Sequence, residues 1–205
     1  IPGTHLLRLV ARRLGKLGVD LRDFITNGDL LVTNGTLEID GEQGKPVPFA
    51  LFYEKLAGGF DKRGKIYNRL VQAEPKGEQL KGYRGGYIKP SSEPKYKIVD
   101  LTLGTHNTIE DSYQRPTREV GGVYSYEAIK TGTIFRAELR LRQSLAEILK
   151  RENPKWWEQL QGNDSLGQSK KDDYGNVKIT VSDSPKIFKR CLLYTSPSPR
   201  DGLLS

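Results

Sequence analysis

The sequence predicts an α+β fold with an antiparallel sheet, and three observations carry that reading. An amphipathic helix stands near the start, alternating apolar and polar runs recur between residues 98 and 142, and a strand, a helix, a Gly-rich loop and a further strand follow one another in the second half. Helices set apart from the runs of strands, rather than alternating with them, define the α+β class. No internal repeat is present.

The elements follow in order. Thr4 is placed to cap a helix running to about Leu17, with Leu6, Leu7, Val10, Leu14 and Leu17 on one face and Gly18 as its stop. Arg8, Arg12, Arg13 and Lys16 fall on the polar face, where solvation is the default expectation. Two short β-like runs, Leu30-Leu31-Val32 and Thr36-Leu37-Glu38-Ile39, flank Asn34-Gly35, a dipeptide that favours a tight hairpin because both positions tolerate positive φ. Pro46-Val47-Pro48 imposes an extended stretch.

From Glu54 to Lys97 the periodicity is poor, and a long, partly irregular insertion is expected; with its approach it spans about residues 41–97. Ile98 to Leu103 alternates as a strand, a polar run covers residues 104–122, and Val123 to Tyr126 resumes a strand. Thr133 to Arg142 is the clearest strand, with Phe135, Ala137, Leu139 and Leu141 on one face. Gln143 to Arg151 fits a helix with Leu145, Ile148 and Leu149 inward. The Gly-rich stretch 162–175 reads as a loop, and Asn176 to Val181 returns to strand. Trp156-Trp157 reads as a helix-end core anchor ahead of a stacking platform. This order matches the antiparallel α+β arrangement of ferredoxin-like domains.

Composition narrows the function classes. The chain of 205 residues carries a formal charge of +8, which points to a polyanionic partner, most often nucleic acid. Residues 54–97 hold eleven Lys or Arg against five acids, so this stretch supplies +6 of that charge, with Tyr67, Tyr83, Tyr87 and Tyr96 interleaved. Cations neutralise phosphates while phenol rings offer stacking faces, a pairing suited to single-stranded nucleic acid. No stretch reaches the roughly 18 apolar residues of a membrane helix, and no signal peptide opens the sequence, so no membrane partner is expected. The sequence begins at Ile1 and holds no Met. Its last stretch, from Cys191-Leu192-Leu193-Tyr194-Thr195-Ser196 to Asp201, resembles a translated sequencing-library adapter. Residues 191–205 are therefore read as non-native and left out of the fold, behind a junction at 183–190. Cys191 is the only cysteine, so the remainder offers no disulfide, thiolate–zinc site or thiol nucleophile. Glu110-Asp111 and Asp172-Asp173 are neighbours that point to opposite sides of an extended chain, a poor chelating geometry, and no metal or cofactor is expected.

Four stretches together resemble the repeat-associated mysterious proteins, the RAMP superfamily of CRISPR systems. Ile1-Pro2-Gly3 running into the first helix is similar to the segment after the first strand of those proteins. Lys45-Pro46-Val47-Pro48-Phe49 to Lys55, followed by Gln79-Leu80-Lys81-Gly82-Tyr83, resembles the insertion of the type III-D RAMP subunit. His106-Asn107-Thr108-Ile109, through Arg115-Pro116-Thr117, to Gly121-Gly122-Val123-Tyr124-Ser125-Tyr126-Glu127-Ala128 resembles that subunit's most characteristic segment. Gly162 to Gly167-Gln168-Ser169-Lys170-Lys171-Asp172-Asp173-Tyr174-Gly175 resembles its Gly-rich loop. Order and spacing carry this likeness over residues 1–182. It implies a ferredoxin-like (RRM-like) RAMP domain in which a first strand would precede Ile1 and much of a second half would follow. It further implies a cytoplasmic, non-catalytic subunit that holds the repeat-derived end of CRISPR RNA beside RAMP backbone subunits and a large polymerase-like subunit.

Within that reading the residues divide by chemistry. In the Gly-rich loop, glycine backbone including Gly167 can approach phosphate, Lys170 and Lys171 add charge, and Tyr174 adds a stacking face. Arg115 and Arg118 can fork onto phosphate oxygens, while His106 and Asn107 can hydrogen-bond a sugar or base edge. Lys81, Tyr83, Arg84 and Tyr87 complete the RNA-contact set from the insertion. One alternative is a metal-independent endoribonuclease processing precursor CRISPR RNA, with His106 as general acid or base and Arg115 as the phosphate cation. Another is a structural scaffold whose basic surface meets acidic protein partners.

Overall fold

The computed structural model describes residues 1–62, 64–72, 77, 79–89, 91, 94–108, 122–167 and 175–181. In chain order these form α1 (Gly3–Leu14), a 3-10 turn (Gly15–Leu17), α2 (Arg22–Thr26), β1 (Leu30–Val32), β2 (Thr36–Ile39), β3 (Glu42–Gln43) and β4 (Lys45–Pro46). There follow β5 (Leu51–Glu54), a 3-10 turn (Gly59–Lys62), β6 (Ile66–Asn68), β7 (Leu80–Gly82), β8 (Tyr87–Lys89) and β9 (Lys95–Lys97). The rest comprises β10 (Leu101–Thr108), β11 (Gly122–Ile129), β12 (Phe135–Arg136), β13 (Leu139–Leu141), α3 (Gln143–Glu152), a 3-10 turn (Trp156–Leu160), β14 (Gly162–Ser165) and β15 (Asn176–Ile179). The class is α+β, with several small antiparallel sheets and few helices.

Two elements start and stop differently from expectation. α1 begins at Gly3, so Thr4 lies in its first turn and does not cap it. The helix is instead capped from a distance, because the Gly3 N–H donates to Asn34 Oδ1 at 2.8 Å. Gly3 itself is required: a Cβ there would lie 2.3 Å from the Val32 carbonyl oxygen. The stop at Gly18 is as expected, with φ +79 closing the short 3-10 turn.

Asn34-Gly35 makes no hairpin. β1 pairs with β13 and β2 with β12, so residues 30–39 run as one bent strand against residues 135–141. Between the two ladders, residues 33–35 face only residues 137 and 138, which is a bulge. The extra residue swings Asn34 toward α1, while the Thr33 N–H donates to the Glu138 carbonyl at 2.9 Å and the Glu138 N–H to Thr33 Oγ1 at 2.8 Å. The same bulge splits the single strand expected over 133–142 into β12 and β13. The tight hairpin sits one step later, at Asp40-Gly41, whose φ values of 51 and 77 suit a two-residue turn between β2 and β3.

The main core joins both ends of the described chain. Val10, Leu14, Leu21, Leu30, Leu145, Leu149, Trp156 and Leu160 form one buried cluster drawn from α1, β1, α3 and the segments beside them. Leu14, Leu30, Leu145 and Leu149 are among its fully buried side chains, each contributing about 2 kcal/mol of transfer free energy. Trp156 is an anchor of this core, and Trp157 packs edge-on against it at 5.9 Å.

The largest departure concerns Arg13. Assigned by periodicity to the solvated face, it is 8% exposed. Its Nη1 donates to the Leu160 carbonyl at 3.0 Å and to the Gln161 carbonyl, Nη2 donates to the Asn163 carbonyl at 2.8 Å, and Nε donates to Asp164 Oδ2 at 2.9 Å. Arg12 also pairs with the Asp164 carboxylate. One guanidinium thus satisfies carbonyls at the end of the last 3-10 turn and the first acid of β14. Gly162 makes room, with φ +115 and a Cβ position only 3.6 Å from Arg13 Nη1.

Replacing Arg13 with Ala would strand the Asp164 carboxylate and several carbonyls. It should cost about 3 kcal/mol in urea unfolding, and Arg13→Lys should recover little because an ammonium cannot span that fork. Burial pushes the Asp164 carboxyl up, but the Ser165 N–H and the Arg12 and Arg13 guanidiniums outweigh it and hold the group at about 2, below its ordinary 3.8. A depressed folded-state value means stability that is whole above the unfolded value and is lost as pH falls from there toward about 2. The urea midpoint should therefore drop across that window, and drop less in Asp164→Asn.

Candidate nucleic-acid interface

The described part of the insertion consists of short strands separated by turns. Two small three-stranded antiparallel sheets, β4-β8-β9 and β6-β5-β7, run through it. Each strand is two to four residues long, too short to show a convincing alternation in sequence. The β2–β3 hairpin ties the first sheet down: Lys95 pairs with Asp40, and Lys89 Nζ lies 2.7 Å from Glu42 Oε1. Lys95 holds the Asp40 carboxyl below its usual range.

Between the two sheets lies an aromatic cluster. Tyr83 sits at its centre, with ring centroids of Tyr53, Phe60 and Tyr96 at 4.8, 5.0 and 5.4 Å. The Phe60 N–H donates to Tyr83 Oη at 2.6 Å. Glycine permits this packing: a Cβ on Gly59 would lie 2.1 Å from Tyr83 Oη, and one on Gly86 would lie 2.3 Å from the Tyr96 ring. Both glycines also have positive φ, +56 and +91. On the opposite face of β6-β5-β7, Lys65 Nζ stands 5.0 Å from the Tyr67 ring and the Arg69 guanidinium 5.6 Å from the Phe52 ring. Tyr67 is buried, and its hydroxyl donates to Glu54.

The expected RNA-contact residues fall as follows. Lys81 and Arg84 are exposed and form no ion pair with a described residue. Lys81 lies on β7 opposite Tyr53, and Arg84 lies just beyond that strand. Tyr87 is half-buried on β8, in register with Pro46 on one side and the exposed Lys97 on the other. Tyr83 packs inside the aromatic cluster. These four gather around the junction of the two small sheets. His106 and Asn107 lie elsewhere, in β10, where they are in register with Tyr124 and Val123 of β11. This ribbon of paired eight-residue strands carries Leu101, Leu103 and Ile129 on one exposed face.

The strand expected at Ile98 begins at Leu101, and the polar run from Gly104 supplies the rest of β10. The glycine-rich stretch is in part a hairpin: Gly162 to Ser165 is β14, paired with β15, and the Leu166 N–H donates to the Gly175 carbonyl at 2.8 Å. Gly167 follows with φ +114 and open space around its Cα. Arg115, Arg118, Lys170, Lys171 and Tyr174 lie outside the described residues, as do Glu110-Asp111, Asp172-Asp173 and residues 183–205.

Two residues escaped the sequence reading. Arg13 gave no signal, since its periodicity is that of a surface cation. Phe49 did carry one, as an aromatic directly after Pro46-Val47-Pro48 in an otherwise basic segment. It is 88% exposed, and Leu70 and Val71 are exposed as well, at 81% and 79%. Among the described residues, no group of three His, Cys, Asp or Glu side chains is placed to hold a metal ion, and no helix is long and apolar enough to cross a membrane. No protein-family model matches the chain, and no curated protein matches it.

If the cluster is what spaces the two sheets, Gly86→Ala should be costly, since it sets a Cβ against the Tyr96 ring at an unfavourable φ. A loss of about 2 kcal/mol in thermal or urea unfolding is expected. Gly85→Ala, where a Cβ meets nothing within 4 Å, should fall near the wild type.

Proposed function

We propose that this chain is a non-catalytic RNA-holding subunit of a type III CRISPR effector complex, built on a ferredoxin-like RAMP domain. In this reading it acts in the cytoplasm beside RAMP backbone subunits and a polymerase-like subunit. The resemblance of four ordered segments supplies the family. The observation that carries the chemistry is the insertion itself. Its two small sheets present Lys81, Arg84 and Lys97 outward, unpaired with any described acid and close to aromatic side chains. A strand of RNA needs that combination: cations spaced along its phosphates and flat apolar surface for its bases. The exposed apolar face of the β10–β11 ribbon suits a subunit, because a two-stranded ribbon gains stability from a third surface.

Holding RNA by phosphate neutralisation releases counterions, so affinity must fall as salt rises. The full-length protein, titrated with CRISPR guide RNA over a salt series, should give a steep negative slope of log affinity against log salt. Changing Lys81 and Arg84 together to Gln should flatten that slope by about 1.4, the value for two single-strand phosphate contacts. Binding that ignores salt would overturn the reading. Labelled repeat RNA should be recovered intact after incubation. Cleavage that disappears in His106→Ala would replace the holding role with an RNA-processing one.

A further inference from the structure

The stacking role that the sequence assigns to tyrosines meets a difficulty. Tyr83 and Tyr96 pack against each other and against Tyr53 and Phe60, and Tyr67 is buried under Lys65. Rings used as internal packing offer little face to a base. The most exposed aromatic side chain among the described residues is Phe49, at 88%.

Its surroundings follow from backbone hydrogen bonds. The Val47 N–H donates to the Gly86 carbonyl at 3.1 Å and the Tyr83 N–H to the Leu51 carbonyl at 3.4 Å, while between them the Leu51 N–H donates to the Pro48 carbonyl at 3.1 Å and closes a turn over residues 48–51. Phe49 therefore sits at the tip of that turn, and the turn's two ends are bonded to the residues on either side of Arg84 and Gly85. On its other flank the Arg69 N–H donates to the Ala50 carbonyl at 2.9 Å, which brings residues 69–71 against the same end of β5. The exposed ring, the exposed Arg84 and the exposed Leu70 and Val71 thus belong to three segments that backbone hydrogen bonds bring to one end of β5. The charges of described residues at this end are cationic, and a Cβ on Gly85 would meet nothing within 4 Å.

We infer that Phe49 is a base-stacking residue for single-stranded RNA, with Arg84 on the adjoining phosphate and Leu70 and Val71 covering the edge of the stacked base. The inference rests on the RNA-holding function proposed above and assigns its stacking surface to a residue outside the tyrosine set. A π-face is sequence-tolerant, because every base has one. The site therefore holds a nucleotide without reading which base it is.

The test uses the full chain and two probes, fluorescein-labelled oligouridylate and CRISPR guide RNA. Phe49→Ala should weaken binding of both by about tenfold, the loss of one stacked base. The salt slope should stay at the wild-type value, because no phosphate contact is removed. Phe49→Trp should keep the affinity, whereas Phe49→Leu, which restores apolar bulk without a π-face, should not. Unfolding midpoints should be unchanged, since so exposed a side chain contributes little to the core. Wild-type affinity in Phe49→Ala, with the parent protein binding RNA normally, would overturn this inference and leave the RNA-holding function standing. Full rescue by Phe49→Leu would overturn it by showing that apolar bulk, not a stacking face, makes the RNA contact. A parent that binds neither probe would overturn both.

Discussion

A single guanidinium ties the two ends of the described chain together. Arg13 comes from the first helix, yet its acceptors are the carbonyls and carboxylate of residues 160–164. Without it, carbonyls at the end of the last 3-10 turn would face a helix with no donor, and Asp164 would lose its most buried partner. A buried polar group left unmatched costs more than a matched one gains. The clamp therefore fixes the angle at which β14 and β15 leave the core. The same geometry explains Gly162, whose positive φ and missing side chain let the backbone turn over the guanidinium.

The insertion obeys a second constraint, the close approach of aromatic rings to glycine backbone. Gly59 and Gly86 admit Tyr83 and Tyr96, and these rings hold two short sheets together that would otherwise bury little apolar surface. Around these rings, most of the insertion's described cations remain exposed. Two of them, Lys89 and Lys95, are spent on the acids of the β2–β3 hairpin, while Lys81, Arg84 and Lys97 remain outward. In β4-β8-β9 the cations Lys89, Lys95 and Lys97 share one face while Ile88 and Tyr96 share the other, and the exposed cations are what a polyanion would meet.

How much of this was legible depends on length and on distance. α1, α3, β1, β2 and β11 could be read because each carries its own period or its own stop, such as Gly18 after α1. The strands of the insertion could not, being too short to alternate. Asn34-Gly35 misled because a turn-forming dipeptide is permissive, not obligatory. The bulge used Asn34 as a distant helix cap, and Asp40-Gly41, equally visible, made the turn instead. Arg13 was illegible for a different reason: its burial depends on acceptors about 150 residues away, and no local pattern reports a long-range partner. At the candidate interface the sequence singled out Lys81, Arg84 and Tyr87, and the fold brings these three to one junction. It could not tell which rings face outward, because packing decides that. Tyr83 went inward, and Phe49, passed over in the sequence, stands in solvent.

The proposed function requires the insertion to be the surface that meets guide RNA. Ultraviolet cross-linking of the full-length protein to CRISPR RNA, followed by mass-spectrometric mapping of the modified peptides, tests this most directly. The expected result is adducts concentrated in residues 45–97, with Phe49 among them. Adducts confined to the rest of the chain, or none at low ionic strength, would contradict it.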